Sequence, residues 1–162
     1  MRWSITVLIV AGGLATACGG GASASSDTAA DVAQIKNLEV TLHQAQTAKN
    51  VDAFMSVWDQ DASLTTGGKT YTGSQPIRGF WATTSPAFKP ENNWIELTST
   101  PRITASVDGE QGKLHFECYF LDIPSRVVKG ISAVDSTVVR RDNRWLLKRV
   151  SIAPLATLSA VG

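Results

Sequence analysis

Reactive side chains are scarce in this chain. Its 162 residues include two cysteines, two histidines and two tyrosines. No cluster of histidine, cysteine and carboxylate falls at metal-ligand spacing. No glycine-rich loop precedes a helix to cradle phosphate, and there is no Gly-x-Ser-x-Gly elbow. Neither a metal nor a cofactor is therefore expected. An excess of charge is missing too, with 15 basic and 14 acidic side chains. The one basic grouping, Arg140-Arg141, Arg144 and Lys148-Arg149, surrounds a turn, where solvated charge is the ordinary explanation, so no nucleic acid is expected as a partner. Long hydrophobic runs are absent as well. The stretch from Ile5 to Leu14 is broken by Gly12-Gly13 and falls short of the roughly 20 apolar residues that cross a bilayer.

What the N-terminus does carry is a processing pattern. Arg2 supplies a positive start, the apolar run follows, and Leu14-Ala15-Thr16-Ala17 leads into Cys18. This resembles the bacterial lipoprotein signal, with Ala15 standing where that signal usually has leucine. The resemblance implies lipidation of Cys18, export, and a membrane contact made through the lipid alone, in the cell envelope. Cleavage near Ala17 without a lipid, giving a secreted soluble protein, is the alternative. The chain thus divides into a signal at 1–17, a Gly/Ser-rich tether at 18–30 and one domain at 31–155. A lipidated Cys18 leaves Cys118 as the one thiol and no intramolecular disulfide; a Cys18–Cys118 bridge is the other option. The setting Phe116-Glu117-Cys118-Tyr119-Phe120 marks Cys118 as a small buried hydrophobe.

Within the domain, Ile35, Leu38, Leu42 and Ala45 fall at helical spacing and predict a first helix from Asp31 to Lys49. Asp27 or Asp31 would cap it and Asn50 would end it. His43 lies beside the stripe and reads as a half-exposed helix histidine, with a catalytic role second. A short helix over Val51 to Gln60 follows, with Phe54, Val57 and Trp58 on one face. Asp61 introduces a strand, Gly67-Gly68 marks a hairpin turn, and Ser74 is placed to cap a third helix bearing Ile77, Phe80 and Trp81. The C-terminal half reads as long antiparallel strands: Asn93 to Val107 bent at Pro101, Lys113 to Leu121, Ile131 to Arg141, and Trp145 to Ile152. Helices first and a strand meander after predict an α+β fold.

The order of Asp52-Ala53-Phe54, Trp58, Asp61-Ala62, Tyr71-Thr72-Gly73, Ile77 with Phe80, and the charged turn Arg140-Arg141-Asp142-Asn143-Arg144 before Trp145 resembles the SnoaL-like branch of the nuclear transport factor 2-like superfamily. The resemblance covers about Asp31 to Ile152. It implies a cone-shaped, strongly curved antiparallel sheet wrapped around N-terminal helices, a cavity between them, and frequent homodimers. It does not fix chemistry, because one fold hosts unrelated sites.

Strand parity sorts the candidate residues. On the third long strand Asp135 and Thr137 share a face with Ile131, Ala133 and Val139. An aspartate aimed into a closed cavity would have a raised pKa and suit a general base. The alternative puts Val134 and Val138 inside and Asp135 in solvent. On the second strand Leu114, Phe116, Cys118 and Phe120 form the obvious core face, which turns His115 and Glu117 outward; the opposite orientation would let His115 pair with Asp135. Trp58, Asp61, Tyr71, Phe80, Trp81 and Trp94 are expected to line the pocket and favour a flat, greasy ligand. Three functions remain open: a lipid-anchored module that binds a small apolar molecule, a cofactor-free isomerase, cyclase or hydrolase with Asp135 as base and His115 or Tyr71 assisting, and a homodimeric scaffold using its sheet face.

Overall fold

A computed structural model describes residues 21–99 and 102–157, with side chains for 27–99 and 102–156. The predicted signal segment and Cys18 lie outside the described residues. The chain is α+β, as expected, with helices packed on a curved, unclosed seven-stranded sheet.

Helix α1 spans Gly21–Thr47, beginning well before the expected Asp31. Asp31 is accordingly no cap. Its carboxylate accepts from Trp145 Nε1 at 3.1 Å and pairs with Arg140, whose guanidinium lies over the Trp145 ring. One stripe of α1 carries Ile35, Leu38, Leu42 and Ala45, all buried as predicted. Lys49, in the left-handed region at φ 55°, turns the chain out of the helix. Asn50 closes α1, its N–H bonding Ala45 O at 2.8 Å, and its Oδ1 accepts from Ala53 N at 2.9 Å and caps helix α2, Val51–Met55. That helix is shorter than predicted because the chain is already in strand β1, Trp58–Thr66, at Trp58.

Gly67 and Gly68, both at positive φ, turn β1 into β2, Lys69–Thr72. Two successive left-handed residues match the twist of a hairpin and suit glycine. Helix α3, Ser74–Gly79, starts after Gly73 without a side-chain cap; Ser74 Oγ instead bonds Gln60 O at 3.2 Å. It loosens into a π-helical turn over Phe80–Thr84 and a 3-10 turn over Pro86–Phe88.

The remaining strands are β3, Trp94–Leu97; β4, Thr104–Asp108; β5, Gln111–Asp122; β6, Val127–Arg141; and β7, Arg144–Thr157. The sheet order is β2-β1-β7-β6-β5-β3, with β4 also on β5 and β1 parallel to β7. The single bent strand predicted over Asn93 to Val107 is two strands, β3 paired with 119–122 of β5 and β4 with 111–115. The break lies between Leu97 and Thr104, and Pro101, where the sequence predicts the bend, lies outside the described residues.

The inner face of the sheet carries Leu114, Phe116 and Cys118 from β5, Val134, Ser136 and Val138 from β6, and Leu147 and Val150 from β7, all buried. Gly112 lets α1 come close: a Cβ there would sit 2.6 Å from Ser106 O and 2.9 Å from Ile35 Cδ1. At the base of β1, Asp59 is 3% exposed. It accepts from Lys148 Nζ at 3.0 Å, Arg141 Nε at 3.2 Å and Asp61 N at 2.9 Å. Burial alone would raise its pKa; these donors outweigh burial and lower it. The structural acid of this region is thus Asp59. Asp61, two residues on, is exposed.

Candidate ligand cavity

Beside the apolar stripe of α1 runs a second one, polar and largely buried. Glu39, His43 and Gln46 follow at i, i+4 and i+7, a spacing that puts them on one side of a helix. They face β3 and β5, which contribute Glu96, Phe116 and Cys118. Between α1 and the sheet lies a cavity of about 290 Å³. Its other walls are Phe54, Trp58, Phe80 and Trp81, Ser85 to Ala87 at the start of the 3-10 turn, and Trp94 with Phe120. The aromatics pack on one another: Phe54 lies 4.7 Å from Trp81 and 5.1 Å from Phe88 between ring centroids. A wall of rings in contact is stiff and apolar, which is what a preformed small-molecule site needs.

At its polar side, His43 is held between two carboxylates. Nδ1 is 2.9 Å from Glu39 Oε1, and Nε2 is 2.9 Å from Glu96 Oε2, a contact off the N–H axis and so an ion pair more than a hydrogen bond. The His43 side chain is 13% exposed, and its ring meets Phe116 edge-on at 5.9 Å. Burial works against a charged imidazole here. Contacts with Cys118, Glu39 and Glu96 overcome it and push the His43 pKa up to about 11. Burial likewise acts to raise the Glu39 pKa, and the adjacent imidazolium prevails and lowers it. Burial pushes the Cys118 thiol up, and Sγ lies 3.7 Å from Ser132 O, to which it donates. Cys118 is the buried small hydrophobe predicted for it.

The SnoaL-like domain model matches residues 27–151, a span that holds all of the cavity lining except Ile152. The chain belongs to the SnoaL-like domain family. Solved structures share this architecture. An NTF2-like protein with a cystatin-like fold from Novosphingobium aromaticivorans is 16% identical with a TM-score of 0.75, over 90% of this chain and 95% of that one. A candidate dehydratase of the NTF2-like family from Streptomyces avermitilis is 15% identical with a TM-score of 0.64, over 80% and 99%. A candidate scytalone dehydratase from N. aromaticivorans is 14% identical with a TM-score of 0.64, over 82% and 90%. Identities this low establish a shared fold and nothing about chemistry. A comparison with curated proteins finds no match.

Of the residues the sequence nominated, Trp58, Phe80, Trp81 and Trp94 line the cavity of this SnoaL-like domain. Tyr71 stands behind Phe80, 4.9 Å away between ring centroids, and is no part of the lining. Asp61 is in solvent on β1, because the inward position there belongs to Ala62. His115 and Asp135 are register partners on β5 and β6, with Nδ1 2.8 Å from Oδ1. They sit on the sheet's outer face, in an open depression of about 500 Å³. The Asp135 side chain is 69% exposed and is not aimed into the closed cavity that the sequence reading considered. Alternation along β6 explains the placement: Val134, Ser136 and Val138 take the inner positions.

The sequence reading missed Glu39, Gln46 and Glu96, and it put His43 half in solvent. A signal was present. Positions 39, 43 and 46 each directly follow a stripe position (38, 42 and 45), so the two rows form one wide buried face on the helix.

Proposed function

We propose that this SnoaL-like domain binds a small, flat, mainly apolar molecule in its interior cavity, and that a lipid on Cys18 holds it at a membrane of the cell envelope after export. The observation that carries the binding reading is the pairing of His43 inside an aromatic-walled cavity. A general acid or base works best with a pKa near the operating pH. Here the imidazole stays protonated with a pKa of about 11, Glu39 is shifted down, and Cys118 is shifted up. Shape and apolar lining are provided, while these three groups are all held away from neutrality. The lipid reading rests on Cys18 following a small-residue box and preceding a Gly/Ser run.

Titration with naphthalene, followed by tryptophan fluorescence, tests the binding. Saturable quenching is expected, and Ser132→Phe, which would fill the cavity from β6, should abolish it. Absence of saturation in the parent protein would sink the proposal. Incorporation of labelled palmitate that Cys18→Ser removes would support the anchor; incorporation unchanged by that substitution would refute it.

A second reading is a cofactor-free isomerase, cyclase or hydrolase with Asp135 as base. The 2.8 Å contact between His115 and Asp135 in the outer depression favours it. A reaction retained in full by Asp135→Asn would remove it.

A further inference from the structure

Gln46 lines the cavity from α1, one turn beyond His43. The residue is 5% exposed, and no side-chain hydrogen bond holds its amide among the described residues, while its polar atoms are not among the fully buried unpaired ones. A carboxamide offers two donors and an acceptor, here free for a molecule in the cavity. Two further donors in the walls are also without partners among the described residues, the indole N–H groups of Trp58 and Trp81. The charged groups, by contrast, are committed. Glu39 and Glu96 flank His43, and Lys49 Nζ, which acts on Glu96 from a distance, donates to Ala87 O at 2.6 Å. An anionic ligand would meet two carboxylates, and a cationic one would compete with the imidazolium between them. Apart from His43 Nε2–H, whose charge the two carboxylates balance, the unspent hydrogen-bonding capacity in these walls belongs to neutral groups.

We infer that the cavity selects a neutral planar molecule with a lactam-type edge, a carbonyl beside an N–H, and that Gln46 reads this edge. A carboxamide is complementary to such an edge: its oxygen accepts the ligand N–H while its nitrogen donates to the ligand carbonyl. The aromatic walls take the faces of the ring system. This inference rests on the binding function proposed above and names its ligand class.

Three bicycles of one size separate the two ideas: naphthalene, with no polar edge; quinoline, with an acceptor alone; and 2-quinolone, with the lactam edge. Full-length protein is titrated with each by tryptophan fluorescence. The expected result is 2-quinolone binding about tenfold tighter than naphthalene, in line with two modest hydrogen bonds, with quinoline between. In Gln46→Leu the ratio of 2-quinolone to naphthalene affinity should fall to about one; Gln46→Met serves if the leucine variant does not fold. Equal affinities in the parent protein, or a preference that survives in the variant, would overturn the role of Gln46 and leave the binding function standing. Failure of all three bicycles to bind would overturn both.

Discussion

Histidine meets a carboxylate in two regions of this molecule. Inside, His43 lies 2.9 Å from each of Glu39 and Glu96; outside, His115 lies 2.8 Å from Asp135. The distances match, and the surroundings do not. His43 sits under an aromatic ring with its partners almost fully covered, so each charge depends on the others for solvation. Asp135 is mostly in water, which screens the pair and solvates either partner alone. A short histidine–carboxylate contact is therefore weak evidence for a functional site until burial is known. The exposed pair was the one whose chemistry the sequence suggested. The buried trio is the one whose electrostatics the fold alters.

Substitution of His43 should separate the two regions most strongly. His43→Leu leaves Glu39 and Glu96 facing each other without a cation. Removing one partner from a buried charge network costs about 3–5 kcal/mol, so the urea midpoint is expected to fall sharply. A midpoint unchanged in the variant would mean that the trio contributes nothing.

The pH dependence of stability should show the same asymmetry at smaller amplitude. A histidine whose folded pKa is raised stabilises fully below its unfolded value of 6.5, and this contribution is lost as pH climbs towards about 11. Glu39 works the other way: its lowered pKa stabilises above 4.5 and is lost as pH falls below that value. Glu39 from α1, Glu96 from β3 and Cys118 from β5 all face the imidazole, and Lys49 acts on Glu96. Cys118, with its raised pKa, adds to the loss above 9.0. The melting temperature should thus be highest between about pH 4.5 and 6.5 and decline on the alkaline side. His43→Leu should flatten the decline between 6.5 and 9.0, and a slope identical to that of the parent would contradict the assignment.

The smallest effect is expected outside. His115→Gln or Asp135→Asn should change stability by no more than about 0.2–1 kcal/mol, the range for exposed ion pairs, and less at high salt. A loss on the scale of His43→Leu in either variant would show that the outer face is covered in solution, and the contrast drawn between the regions would fail.

The apolar stripe Ile35, Leu38, Leu42 and Ala45, the Gly67-Gly68 turn and the alternation Leu114, Phe116, Cys118 were all legible, because each is a local periodicity that burial enforces directly. The ordered aromatics from Phe54 to Trp81 carried the family resemblance and most of the cavity wall. Asp59 was not legible as the buried acid of β1. Its cations, Arg141 and Lys148, come from the far end of the chain, and nothing local separates it from Asp61.

The sequence by itself determined an α+β SnoaL-like domain, with one helix against a sheet and an aromatic end to the space between them. Only the tertiary structure decided which polar residues border that space. Glu39 and His43 lie one position beyond an apolar stripe, and helical spacing leaves such a boundary residue free to be wet or dry. Pairing of β3 with β5 brings Glu96 over His43 and settles the matter, since a charged ring closed in from both sides can no longer be solvated by water.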